Sequence, residues 1–275
     1  MKYLITLVFL IQLLAPVLAT YAESPRGEPT NAAEAASKRI KIDPAIEAKY
    51  FSLVAALPAD QQVWERKLQE NLGSFYLPNH QRQRVEGRSS CWDFVQDDVN
   101  LPRVLLIGDS VSGGYTLATR TFLAGKANVH KAPENCGPTA NGLKKLDLWL
   151  GDGKWQVIHF NFGLHDSKTS VADYEARLRQ IVVRLQKTGA KLIWASTTPR
   201  PADAKEGLAF VAAVVERNEM AAKIMSESGI WINDLFTYIS PHVAQVQRPK
   251  DVHFTPEGYQ LLGGRVAAEI EARLK

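Results

Sequence analysis

The stretch whose reading decides the fold is Arg103–Tyr115, "RVLLIGDSVSGGY". Val104 to Ile107 form an apolar run of strand length. Gly108-Asp109-Ser110 breaks it, and small residues follow that suit the start of a helix. A serine at the end of a buried strand has three uses: it can cap the next helix, help cradle a phosphate, or act as a nucleophile.

The phosphate readings fail on the residues present. A phosphate loop needs Gly-x4-Gly-Lys-Ser/Thr. Gly108 and Gly113 have the spacing, but Gly114 and Tyr115 stand where the lysine and hydroxyl residue belong. A dinucleotide fingerprint needs glycine where Ser110 stands. Helix cap and nucleophile remain, and the rest of the chain bears on the choice.

Beyond Asp98 apolar runs alternate with helix-length amphipathic stretches. The pattern predicts strands at 103–108, 127–131, 156–162, 191–196 and 230–233. Helices are expected near 111–124, 140–150, 171–188 and 208–228. A last helix is expected from Pro256, with Glu257 in its first turn. Such alternation implies a five-stranded parallel sheet covered on both faces. Sites in these sheets gather at the carboxyl ends of strands. Ser110 lies there, and so should Gly163, Pro199 and the tail after Asn233. No internal repeat is present.

Upstream, Lys2, the apolar run Leu4–Leu18 and Ala19-Thr20-Tyr21-Ala22 read as a secretory signal over residues 1–22, cleaved after Ala22 with Ala19 as second choice. The run is short of the ~20 residues of a membrane span, and an uncleaved N-terminal anchor is the alternative reading. The expected mature protein is therefore secreted or periplasmic, with no membrane partner. Residues 23–43 read as a linker or disordered tail. Residues 44–100 read as a helical and irregular segment packing on the main domain, 101–275. Its helical part runs from Pro44 to Leu72 and is divided at Pro58; Val63, Trp64 and Leu68 share one helical face. The stretch "FYLPNHQRQRVEGRSSCWDFVQDD" (Phe75–Asp98) has no clear period and is expected to be irregular, wrapping the main domain, with the border of a binding cleft as the alternative.

Composition narrows the class. The chain has 275 residues, 45% of them hydrophobic, enough for one sizeable α/β domain. Its net charge is +4 with basic residues dispersed, so a nucleic-acid partner is not expected. Two cysteines, Cys91 and Cys136, do not make a disulfide framework. Export permits a pair between them, and sequence does not decide it.

A serine nucleophile needs a base, and histidine has a suitable proton affinity. Of the six histidines, His130 and His159 fall inside strands and read as core groups. His80 and His242 lack a nearby strand end and read as exposed. His165, in "NFGLHD" (Asn161–Asp166), and His253, in "DVHFTPEGY" (Asp251–Tyr259), both lie where a strand-end site would collect them.

Gly-Asp-Ser after the first strand, a glycine after the second, a Gly-x-polar-Asp block after the third and a late Asp/His block together resemble the SGNH hydrolases, also called the GDSL esterase family. The resemblance spans roughly Leu101 to Ile270. It implies a flavodoxin-like three-layer α/β/α sandwich and ester hydrolysis without a metal or other cofactor. It further implies Ser110 as nucleophile, His253 as general base and Asp251 as the acid that orients it. The oxyanion hole would comprise the Ser110 and Gly137 N–H groups and the His165 side chain. Two positions depart from the family pattern. The third block reads Gly163-Leu164-His165-Asp166 where the family has Gly-x-Asn-Asp. Asp251 stands two residues before His253 instead of three, with Lys250 in the usual place and Asp234 as a reserve acid. The expected activity is hydrolysis of an O-acyl ester, an O-acetyl ester foremost, on a carbohydrate or small molecule. Two other readings keep the same residues: acyl transfer to a sugar, and non-catalytic carbohydrate binding on a retained fold. Trp92, Trp149, Trp155, Trp194 and Trp231 are candidates for sugar stacking or, for most of them, core packing.

Overall fold

The computed structural model describes residues 42–201 and 207–275. The expected signal segment, most of the expected tail and residues 202–206 lie outside the described residues.

Three helices come first: α1 Pro44–Ala55, α2 Ala59–Asn71 and α3 Gly73–Val85. Strands and helices then alternate: β1 Arg103–Ile107, α4 Ser110–Phe122, β2 Asn128–Lys131, α5 Thr139–Leu150, β3 Val157–Phe160, α6 Val171–Gln186, β4 Lys191–Ala195, α7 Gly207–Glu227 and β5 Trp231–Asn233. Two short helices, α8 Leu235–Ile239 and α9 Val243–Val246, lead to α10 Pro256–Leu274. All five strands pair in parallel in the order β2-β1-β3-β4-β5. This is the flavodoxin-like order, whose direction reverses between β1 and β3.

Side chains alternate across a strand, so each apolar run supplies both faces of the sheet. Leu105, Ile107, Ile158, Phe160, Leu192 and Trp194 pack with α5, α6 and α7. Val104, Leu106, Val129, Val157, Ile193 and Ala195 pack toward α4 and α10. Each large apolar side chain removed from water contributes roughly 1.5–3 kcal/mol. The helices α4 and α10 approach closely because α10 carries Gly263 at their crossing. A methyl group there would lie 2.5 Å from Ala118 Cβ and 3.0 Å from the Thr119 nitrogen.

The stretch expected to be irregular is instead helical in its first part, within the helix Gly73–Val85 with Pro78 inside, and irregular as expected from Glu86 to Asp98. Gly73 and Pro78 are breaker signals, and the basic run hides any apolar stripe. Tertiary packing supplies what the period lacks: Tyr76 and Leu77 lean on a cluster of Leu68, Leu72 and Trp92. Beneath it lies a buried charge cluster. Glu65 accepts from Tyr50 Oη at 2.9 Å, pairs with His80 Nε2 at 2.8 Å and meets Arg84 Nε at 3.0 Å. His80 is thus fully buried, not exposed as expected. Burial pulls the Glu65 carboxyl upward, but these partners outweigh it and hold it below the ordinary carboxylate range.

Candidate active site

β1 ends at Ile107, and the chain turns through Gly108 and Asp109 into α4. The helix cap is Asp109, whose Oδ1 accepts the Val111 N–H at 2.9 Å. Ser110 is therefore not needed as the cap. Its hydroxyl stands 2.8 Å from His253 Nε2. Its N–H occupies the first position of α4, where the helix itself offers no acceptor.

His253 sits in the turn that leads into α10. Lys250 adopts a left-handed conformation with φ of 57°. The Asp251 N–H donates to the Arg248 carbonyl at 3.2 Å, and the Arg248 N–H donates to the His253 carbonyl at 2.9 Å. The turn is tight enough that Asp251 Oδ1 meets His253 Nδ1 at 2.7 Å and also accepts the His253 N–H at 3.2 Å. A carboxylate two residues ahead thus reaches the imidazole. Burial pulls the Asp251 carboxyl upward, but hydrogen bonds from the His253 ring and backbone prevail and keep it below the ordinary range. Asp234 is engaged elsewhere: its Oδ1 accepts from Ser196 Oγ at 2.9 Å and from the Thr237 N–H at 3.0 Å, capping α8.

The loop after β2 and the turn after β3 meet beside this chain of groups. Buried Asp166 ties them together, accepting from the Thr139 N–H at 2.9 Å and from Thr139 Oγ1 at 2.6 Å. His165 precedes it in a short 3-10 turn, 40% exposed, with Nε2 3.8 Å from Asp109 Oδ2. Gly137 has φ of 61°, a conformation that favours glycine. Its N–H donates to Asn135 Oδ1 at 3.1 Å. The Asn135 amide in turn donates to Tyr76 Oη at 2.5 Å. Burial pushes the Tyr76 hydroxyl up, partly offset by Asn135 and the Ser110 hydroxyl nearby.

Ser110, Asn135 and Tyr76 line a cleft of about 380 Å³ together with Asn79, Arg82 and Trp92. Sequence reading missed Tyr76, Asn79, Arg82 and Asn135 because α3, which brings three of them, has no periodic signature. Of the tryptophans, Trp149, Trp155 and Trp194 are buried in the core, and Trp231 is exposed. His159 is buried against Tyr115, and His130 pairs with Asp97 at 2.7 Å. Cys91 and Cys136 are free thiols, each pushed by burial up to about 11, so neither is a ready thiolate. Among the described residues, no group of three or more His, Cys, Asp or Glu side chains is placed to hold a metal ion.

No protein-family model and no curated protein matches the sequence. Solved structures do match in fold. A lipase/acylhydrolase from Enterococcus faecalis superposes with a TM-score of 0.56 at 22% identity, over 63% of this chain and 97% of that one. A Slackia heliotrinireducens protein proposed to be an SGNH hydrolase gives 0.52 at 18% identity, over 62% and 100%. An acetylxylan esterase from Geobacillus stearothermophilus gives 0.53 at 14% identity, over 62% and 94%. Over its α/β portion the chain therefore has the fold found in these lipase/acylhydrolase, SGNH hydrolase and acetylxylan esterase structures.

Proposed function

We propose that this protein is a serine esterase of the SGNH hydrolase family that removes an O-acyl group, acetyl foremost, from a carbohydrate. The observation that carries the reading is the hydrogen-bonded chain from Ser110 Oγ through His253 to Asp251 at the mouth of a cleft. Ser110 Oγ attacks the ester carbonyl carbon while His253 Nε2 takes its proton. Asp251 fixes the tautomer by holding the proton on Nδ1 and balances the imidazolium that forms. The tetrahedral adduct expels the alcohol, which takes the proton from Nε2. Water then attacks the acyl-serine with His253 again as base, releasing the carboxylic acid and restoring the serine hydroxyl.

Charge on the carbonyl oxygen develops at the start of α4, where the Ser110 N–H and the positive end of the helix face it. The His165 ring is the side-chain donor in this reading. The Gly137 N–H joins when it exchanges the Asn135 oxygen for the oxyanion. The acetylxylan esterases among the structural matches support an acetylated glycan as substrate. The apolar run before Ala22 supports export to the periplasm or beyond the cell. Among the described residues no helix is long and apolar enough to cross a membrane.

The test is release of acetate from 4-nitrophenyl acetate and from acetylated xylo-oligosaccharides. Wild-type protein is expected to release it and folded Ser110→Ala is not. Turnover by Ser110→Ala at the wild-type rate would overturn the assignment.

A further inference from the structure

The cleft beside Ser110 holds a cation without a counter-ion. Arg82, on the face of α3 that lines the cleft, is half-buried, and no hydrogen-bonding or ion-pair partner engages its side chain among the described residues. The nearby arginines differ. Arg84 is held by Glu65 at 3.0 Å, and Arg88 Nε donates to Glu86 at 2.7 Å. Asp109 is the acidic group of the cleft, but it is 6% exposed and one of its oxygens is taken by the Val111 N–H. Behind the nucleophile loop, buried Lys131 donates to the Gly108 carbonyl at 2.8 Å and adds a second positive charge.

An arginine drawn partly out of water without a partner costs free energy that an incoming anion recovers. Its planar fork of donors matches a carboxylate or a phosphate, and a recessed cleft screens that pairing less than open surface does. Resting on the esterase reading for the site itself, we infer that the natural substrate is anionic, with a carboxylate or phosphate close to the scissile ester that seats on Arg82. Asn79 and Gln83, on the same wall of the cleft, supply neutral donors beside it. A neutral acylated glycan would leave Arg82 unpaired and would be the poorer ligand.

Binding tests this separately from catalysis. Ser110→Ala protein is titrated calorimetrically with oligogalacturonate and with its carboxyl-reduced, neutral counterpart. A second arm compares a glycerol phosphate oligomer with glycerol, so the two arms separate carboxylate from phosphate. One anionic probe should bind at least about ten-fold more tightly than its neutral partner, the effect of one charge-assisted hydrogen bond. The preference should shrink with added salt and collapse in Ser110→Ala/Arg82→Gln, whose fold is checked by circular dichroism. No preference in either arm, or a preference that survives Arg82→Gln, overturns the inference. Selective binding by a wild-type protein that hydrolyses no ester would instead overturn the esterase reading and leave the anion site standing. Hydrolysis of aryl acetate without anion preference would do the reverse.

Discussion

Asp251 Oδ1 lies 2.7 Å from His253 Nδ1 across a spacing of two residues, because the left-handed Lys250 folds the turn back on itself. Asp251→Asn should leave the ring without its anionic partner and lower turnover on the order of 10²–10⁴ fold, the usual worth of a correctly held base. Asp234→Asn should keep normal turnover and lose up to ~1 kcal/mol of stability through the α8 cap. Steady-state kinetics and urea melts on the two variants separate the roles. A crippled Asp234→Asn beside a normal Asp251→Asn would reverse the assignment.

His165 stands where the family that the sequence resembles carries asparagine, and its exposure of 40% gives it little packing to lose. His165→Ala should reduce turnover by roughly 10²–10³ fold with KM nearly unchanged, as for loss of a donor that acts on transition-state charge. His165→Asn should recover much of that loss, since its amide donates from a similar place. Thermal melts of both variants should track the wild type. A normal turnover number in His165→Ala would remove this residue from the oxyanion site.

His159 predicts a stability profile. The imidazole is fully buried between Tyr115 and Asn233, and burial drives its pKa down to about 3. The unfolded chain takes up this proton near the ordinary value of about 6.5. Between those values the unfolded state binds more protons, so stability is complete above the upper value and falls as pH drops toward the lower one. Urea midpoints for the wild type should decline through that window. His159→Gln should show a shallower decline, and identical slopes would exclude His159 as the cause.

Gly263→Ala should destabilise the protein although alanine is the better helix former. The added methyl meets Ala118 and the α4 backbone, and such overpacking costs about 1–3 kcal/mol, against a propensity gain of up to ~1 kcal/mol. The melting temperature should fall. The turnover number should fall with it, because α4 begins at the nucleophile and α10 follows the base. A variant as stable and active as wild type would show that the two helices separate freely.

The sheet was legible because its central strands β1, β3 and β4 are buried on both faces and read as apolar runs between helix-length spacers. That Ser110 and His253 come together was legible because the parallel topology sends strand ends to one edge, and Asp251 beside them followed from the family resemblance. α3 was not, since Gly73, Pro78 and the three basic residues His80, Arg82 and Arg84 mask a helix held by contacts from elsewhere. The burial of His80 was equally hidden: its partner Glu65 lies 15 positions away on another helix. Nor does sequence distinguish Asp109 from Ser110 as the cap of α4, because both residue types serve that position and only geometry shows which oxygen meets the Val111 N–H.

The 143 positions between Ser110 and His253 also order events during synthesis. A chain emerging from its N-terminus presents the serine long before the histidine exists, and the two meet only when the C-terminal helix docks against α4. Until that docking the hydroxyl has no base and is chemically inert. Under the esterase reading, appearance of activity is a clock for the last folding step, and the chain stays harmless to esters around it until that step.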